Sequence, residues 1–340
     1  MSVISAKIYE MLGPRDLYLR EETIDLGAVG DTEVVGKTIV SVISPGTEIA
    51  AYIGAPPLRP MKIYPRVNGY CNVAEVLAVG KDVEGIKVGD RISTHQSHRS
   101  AFCCDQTRVN AVLQDGDDAT AQATLYLWHL GYYPLLRAGA TAGTNVAVIG
   151  LGTLGLTAVA AAKLAGCNVI AMSNREAAQQ QAIDFGAKSA FGLKEIDVTK
   201  NWANEQFPGA GVDLVISTSN AWHDWQVALE IARDGGAIAV VGFPGRGLPQ
   251  ADFNPLDSRY IYDKELTIYA CGNPPAVDVI PRDIRFTLLR NYEYLGEMIR
   301  QDRFPAKKIV SETVSWDQLD SVYTRMADRE EGLITAALQW

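Results

Sequence analysis

The residues with the strongest chemical implication are Gly150-Leu151-Gly152-Thr153-Leu154-Gly155. Three glycines at this spacing mean little alone, but their context is informative. The hexad follows the apolar run Asn145 to Ile149 and opens a predicted helix over 153–165, an order of strand, glycine turn and helix that marks a dinucleotide site. Gly150 permits the tight turn, Gly152 lets the backbone approach an anion, and Gly155 lets helix and strand pack closely. The amides of Thr153 and Leu154, at the positive end of the helix dipole, then suit a pyrophosphate. A plain βα turn has no need of all three glycines.

The strand after the turn selects the nucleotide. Asn168 to Met172 leads into Ser173-Asn174-Arg175, where an enzyme using NAD usually places a carboxylate against the ribose 2′-hydroxyl. No carboxylate stands there. Ser173 and Asn174 offer neutral hydrogen bonds, and Arg175 offers a guanidinium that can fork onto a 2′-phosphate. The segment predicts NADP(H) over NAD(H), against the plainer reading of Arg175 as a solvated residue in a helix's first turn. Ser217 and Thr218 end a later apolar run, at the edge where nicotinamide-ribose contacts are expected. They are better candidates than nearby His223.

These residues need a scaffold. Short apolar runs alternate with helical stretches after Gly143, the pattern of a parallel sheet. Strands are predicted near 145–149, 168–172, 187–191, 213–217, 236–241 and 266–271, with helices near 153–165, 176–185 and 222–233. Six strands suit a doubly wound α/β sheet. Before it, runs such as Thr38 to Val42, Val73 to Leu77 and Val109 to Leu113 predict a mainly β domain. One long helix is expected over Ala121 to Leu136. After Pro274, Pro275 and Pro281, helices are expected over Asp283 to Arg300 and Trp316 to Ala327, and a strand over Leu333 to Leu338.

At 340 residues the chain suits two domains. A net charge of −9 without basic runs argues against nucleic acid. The five cysteines include no C-x-x-C pair and read as reduced thiols. Residues 146–162 are apolar enough to imitate a membrane span, but their glycines argue against one. The N-terminus shows no signal or transit pattern, so the cytoplasm is expected.

With these residues placed, nearly the whole chain resembles the medium-chain dehydrogenase/reductase superfamily. The resemblance is carried by Ser44-Pro45-Gly46-Thr47-Glu48, Pro65 to Val76, Val79-Gly80 to Val88-Gly89-Asp90-Arg91, the glycine turn, Val240-Val241-Gly242-Phe243 and Lys264 to Ile268. It implies a GroES-like β domain formed by 1–125 and 273–340, a Rossmann domain over 126–272, an active site in the cleft, and a homodimer. It also implies that Gly242, Phe243, Cys271 and Gly272 approach the nicotinamide, with Cys271 a small apolar residue and not a nucleophile.

The chain departs from the family's zinc enzymes. Ser44 stands where they carry a ligand Cys, Gly69-Tyr70-Cys71 replaces Gly-His-Glu, and a third ligand would fall near Tyr126. Only Cys103 and Cys104 lie where a four-cysteine lobe would be. A catalytic zinc needs about three protein ligands, so a zinc-free enzyme is expected; Ser44 to Glu48 together with Tyr-Pro-x-x-x-Gly-Tyr over Tyr64 to Tyr70 resembles a branch that includes bacteriochlorophyllide-type dehydrogenases and their sugar- or polyol-active relatives.

Without a metal, side chains must stabilise and protonate the substrate oxygen. Thr47, Tyr70 and His129 are the candidates, with Glu48 as an orienting carboxylate. Tyr70 is equally readable as a packed aromatic, and His129 as a structural histidine. His95 and His98 flank Gln96 and Ser97 just after a strand, in a polar loop that could contact substrate or be solvated; the two histidines read as solvated or structural. The expected activity is hydride transfer between NADP(H) and a polar alcohol or ketone, small and sugar- or polyol-like. Enoyl or quinone reduction and a non-catalytic NADPH sensor are the alternatives.

Overall fold

A computed structural model describes residues 3–58, 63–193, 195–272 and 287–340. The chain divides into two compact units: Met1–Tyr126 with Tyr292–Asp302 and Ala306–Trp340, and Leu127–Asn291 with Arg303–Pro305.

Among the described residues the second unit holds a six-stranded, wholly parallel sheet. Its order is Ser189–Phe191, Asn168–Met172, Asn145–Ile149, Val212–Ser217, Ala232–Val240 and Thr267–Ala270. The strands are short and, at the centre, almost wholly apolar, as a sheet covered on both faces requires. Ala147, Ile149, Ile170 and Val215 join one core with Trp225 and Leu229 from the helix Trp222–Ile231. Strand order reverses between Asn145–Ile149 and Val212–Ser217, the point where doubly wound sheets bind ligands. The glycine turn leaves the first of these strands and Thr218 the second.

Helices Thr153–Leu164 and Glu176–Asp184 fall close to their expected limits. The helix Ile196–Gln206 is not among those expected. It is rich in β-branched residues and Asn, which are modest helix formers, and only Thr199 and Ala203 are buried, so its apolar period is faint. The single helix expected over Ala121 to Leu136 is instead two, Ala119–Ala123 and Leu125–Ala138. They are separated at Thr124, whose hydroxyl bonds the Ala121 carbonyl at 2.6 Å.

The first unit is mainly antiparallel. Val3–Gly13 pairs with Asp16–Asp25 and with Arg66–Val67. A larger sheet runs Val310–Ser315, Thr335–Gln339, Glu33–Val42, Asn72–Val79, Arg91–Thr94 and Val109–Val112, and Ala101–Asp105 also pairs with Glu33–Val42. The last strand lies antiparallel to Glu33–Val42, so the C-terminal segment completes the N-terminal sheet. The helix expected over Trp316 to Ala327 starts as a 3₁₀ turn, Trp316–Gln318, and becomes α-helical over Leu319–Ala327. Leu288–Arg300 is helical. The expected start of that helix at Asp283, the prolines before it and the domain boundary at 273 lie outside the described residues. Among the described residues no helix is long and apolar enough to cross a membrane.

Candidate functional site

In the second unit, local geometry explains each glycine of the turn separately. Gly150 has φ +89°, left-handed backbone that favours glycine, and a Cβ there would meet Thr218 Oγ1 at 2.7 Å. A Cβ on Gly155 would sit 1.8 Å from the Gly150 carbonyl oxygen. Gly152 differs: it is exposed, and a Cβ would meet nothing within 4 Å. Nothing in the fold demands glycine there, whereas a ligand approaching the backbone does. Gly152 also starts the helix without a side-chain cap, so the positive end of the helix is left for a ligand. These features fit a dinucleotide pyrophosphate.

Thr218 braces the turn, its hydroxyl donating to the Gly150 carbonyl at 2.7 Å and its amide to the Ile149 carbonyl at 2.9 Å. Ser217 is buried, and its carbonyl takes the amides of Val241 and Gly242. Gly242 is forced by crowding, since a Cβ would lie 2.7 Å from Thr218 and Ser219 backbone. The Phe243 amide donates to Asn220 Oδ1 at 3.2 Å, and the Arg246 guanidinium lies 4.9 Å from the Phe243 ring centroid. Burial pushes the Cys271 thiol up to about 12, as befits an unreactive residue, while neighbouring Gly272 is exposed.

At the ribose-selecting position Ser173 is buried, and Asn174 and Arg175 are exposed. The Arg175 amide donates to Ser173 Oγ at 3.2 Å as the chain enters the helix Glu176–Asp184. Arg175 makes no ion pair among the described residues, so its guanidinium is available to an anion.

In the first unit Ser44, Thr47 and Tyr70 come together. Pro45, suited to a helix's first position, starts the short helix Pro45–Tyr52. This helix carries Thr47 and Glu48. The Tyr70 hydroxyl donates to Ser44 Oγ at 2.5 Å and also bonds the Thr47 side chain. Burial, the largest effect, raises the Tyr70 pKa. Its ring stands edge-on to Tyr126 at 5.2 Å.

Beneath this cluster Glu48 is 1% exposed. Its carboxylate accepts the Ser44 amide at 2.7 Å, His98 Nε2 at 2.8 Å and the Tyr323 hydroxyl at 2.5 Å. With Nε2–H donating, His98 Nδ1 accepts from Ser41 Oγ at 2.8 Å, and Ser41 in turn accepts the Trp340 indole N–H at 2.8 Å. Gly69, at φ +97°, is required because a Cβ would meet the His98 amide at 2.9 Å. His98, Ser41, Tyr323 and Trp340 are the members that sequence reasoning missed. Gly69 is the local sequence feature tied to this close approach; the other members are too far apart in the chain for any spacing to reveal them.

His129 belongs to the second unit. It is fully buried, takes the Asn291 side-chain amide on Nδ1 at 3.4 Å and stacks on Tyr133. A ring with no exposed surface suits packing more than proton delivery. The expectation that His98 is structural agrees with its burial; a solvated His98 does not.

The donor chemistry at Ser44, Tyr70 and Tyr126 does not fit zinc. These are hydroxyls, two of them bonded to each other, and zinc takes thiolate, imidazole or carboxylate. Among the described residues no group of three or more His, Cys, Asp or Glu could hold a metal ion. Cys103 and Cys104 are neighbours on one strand, the first exposed and the second buried, so they point to opposite faces.

A six-stranded parallel Rossmann-like sheet in one unit and a mainly antiparallel sheet in the other define a two-unit α/β fold. Residues 153–281 match the family model described as zinc-binding dehydrogenase. Sorbitol dehydrogenase of Bacillus subtilis is 25% identical over 79% of this chain and 82% of its own length. L-galactonate-5-dehydrogenase of Escherichia coli is 26% identical over 89% and 97%. A zinc-binding-dehydrogenase-type protein of Sinorhizobium meliloti, solved with NADP bound, superposes with a TM-score of 0.79 at 18% identity, covering 99% of this chain and 100% of that one. By fold and by these matches the chain is similar to zinc-binding, alcohol and polyol dehydrogenases.

Proposed function

We propose that the protein is an NADP(H)-dependent oxidoreductase that interconverts a polar, sugar- or polyol-like alcohol and its ketone without zinc. The carrying observation is the Ser44–Thr47–Tyr70 hydroxyl cluster, which occupies positions where the resemblance places metal ligands. The alcohol and polyol dehydrogenases among the relatives support the reaction class. Exposed Asn174 and Arg175, with no carboxylate beside them in the ribose-selecting segment, support NADP(H). The same reading assigns nucleotide binding to the parallel-sheet unit and substrate binding to the antiparallel one, in a cytoplasmic homodimer whose mass light scattering would check.

Bound NADP(H) supplies the hydride. The chain must bind the substrate oxygen, stabilise the charge that develops on it and deliver one proton. With its pKa raised by burial, Tyr70 keeps its proton and acts as a hydrogen-bond donor. Ser44 and Thr47 hydroxyls can rotate between Tyr70 and substrate, and half-exposed Thr47 can relay a proton from solvent to the substrate oxygen. Glu48, by accepting the Ser44 amide, fixes the start of the helix that carries Thr47. Gly152, Thr153 and Leu154 present backbone to the pyrophosphate.

The test is purified protein with NADPH and panels of ketoses, simple ketones, enones and quinones, followed by nicotinamide absorbance and accompanied by metal analysis. Ketone turnover that survives chelation supports the proposal. Turnover of enones or quinones alone replaces it with double-bond reduction, turnover of none with a nucleotide sensor, and stoichiometric zinc defeats its metal-free part.

A further inference from the structure

His95 follows the strand Arg91–Thr94, in the same unit as the hydroxyl cluster. Its ring lies 4.7 Å from Tyr126, which also contacts Tyr70 at 5.2 Å and Tyr292 at 6.4 Å. Nε2 is 2.7 Å from the hydroxyl of Tyr292, which is 1% exposed, while His95 itself is exposed. One ring nitrogen is thus anchored to a buried phenol. The other has no protein partner among the described residues. Desolvation nevertheless lowers the imidazole pKa to about 4, with Arg108 acting in the same direction. The ring is therefore neutral at physiological pH.

We infer that His95 is a specificity-determining residue that hydrogen-bonds a second oxygen of the substrate, while the Ser44–Thr47–Tyr70 hydroxyls hold the oxygen at the reacting carbon. This rests on the dehydrogenase reading and narrows its substrate class. Tyr70 and His95 both pack against the Tyr126 ring, and hydrogen bonds of about 2.8 Å can reach two neighbouring oxygens of one substrate. A vicinal diol, or the corresponding α-hydroxy ketone, satisfies both groups and lays its C–H face on Tyr126. A ketone lacking the second hydroxyl leaves His95 unpaired, the kind of deficit that polar sites discriminate strongly. Tyr292 is a positioning residue that holds the imidazole.

The experiment compares an α-hydroxy ketone with the same ketone lacking the hydroxyl, in wild type, His95→Phe, His95→Gln and Tyr292→Phe. Thermal melting and NADPH titration verify folding, and His95→Gln carries the test if His95→Phe fails to fold. Wild type is expected to prefer the hydroxy ketone. His95→Phe, which keeps a ring against Tyr126, should lower kcat/KM for the hydroxy ketone about 100-fold, chiefly through KM, and change the simple ketone less than about 3-fold. His95→Gln should recover part of the loss, and Tyr292→Phe should show a smaller loss with the same selectivity. Equal losses on both substrates, no loss on either, or a wild type indifferent to the hydroxyl overturns the inference and leaves the dehydrogenase reading intact. A wild type that reduces neither ketone overturns both.

Discussion

Removing the Glu48 carboxylate perturbs the first unit by an amount the geometry defines. The side chain is 1% exposed and accepts bonds from the Ser44 amide, the His98 imidazole and the Tyr323 hydroxyl. Hydrogen bonds to a charged partner contribute about 1.5–3 kcal/mol each. Glu48→Ala leaves three buried donors without their acceptor and opens a cavity besides. Against this stands the cost of burying the carboxylate in the first place, which the variant escapes. A net loss of about 4 kcal/mol follows, or a fall of roughly 8–16 °C in the melting of a unit of this size. Glu48→Gln keeps the shape and one acceptor oxygen but turns an amide N–H₂ toward a donor, so about half the loss is expected. Scanning calorimetry resolves the transition, and NADPH titration separates damage to the first unit from damage to the second. An alanine variant melting within about 3 °C of wild type would refute the hub assignment, because three orphaned buried donors cannot be so cheap.

Tyr70→Phe keeps the edge-on contact with Tyr126 and removes one donor; kcat for ketone reduction should fall by about 10²–10³ with NADPH affinity unchanged, and an unaltered kcat rules Tyr70 out of the chemistry. Gly152→Ala and Gly155→Ala should part company: the first, which exchanges a helix N-cap glycine for the poorer cap alanine, costs at most about 1 kcal/mol but weakens NADPH binding at least about 10-fold, while the second, whose Cβ meets backbone, destabilises by about 3 kcal/mol. Calorimetry alongside nucleotide titration reads both, and a Gly152→Ala protein with wild-type affinity would mean the pyrophosphate lies elsewhere. Arg175→Ala should raise KM for NADPH at least about 10-fold and spare NADH, an equal effect on both defeating the NADP(H) assignment. With its pKa near 12, Cys271 should resist alkylation at neutral pH in a mass-spectrometric time course, and rapid labelling would contradict its burial.

The two units differed in how much their sequences disclosed, for a physical reason. In the parallel-sheet unit the determinants are local: Gly150, Gly152 and Gly155 act within one turn, and each strand is a short apolar run whose ends can be read directly. Thr218 was assigned to that edge from strand order alone, although its bond to the Gly150 carbonyl belongs to tertiary structure. Where local signals were weak, as in Ile196–Gln206 or at the Thr124 break, the elements were missed or merged. In the antiparallel unit the site is assembled from afar. Ser41, Glu48, His98, Tyr323 and Trp340 span almost the whole chain, and no spacing rule links them. Glu48 could be named as an orienting carboxylate from its motif, but its partners could not. The same distance explains the two histidines. His129 attracted notice by standing in an apolar helix, a setting that buries it. For His95 the local sequence left solvent, structure and substrate contact open, because its Tyr126 and Tyr292 partners come from positions 31 and 197 residues further along the chain. Polar residues beside a strand end therefore acquire their chemical character from what later segments bring against them, and in this chain that later segment is the returning C-terminal part of the antiparallel unit.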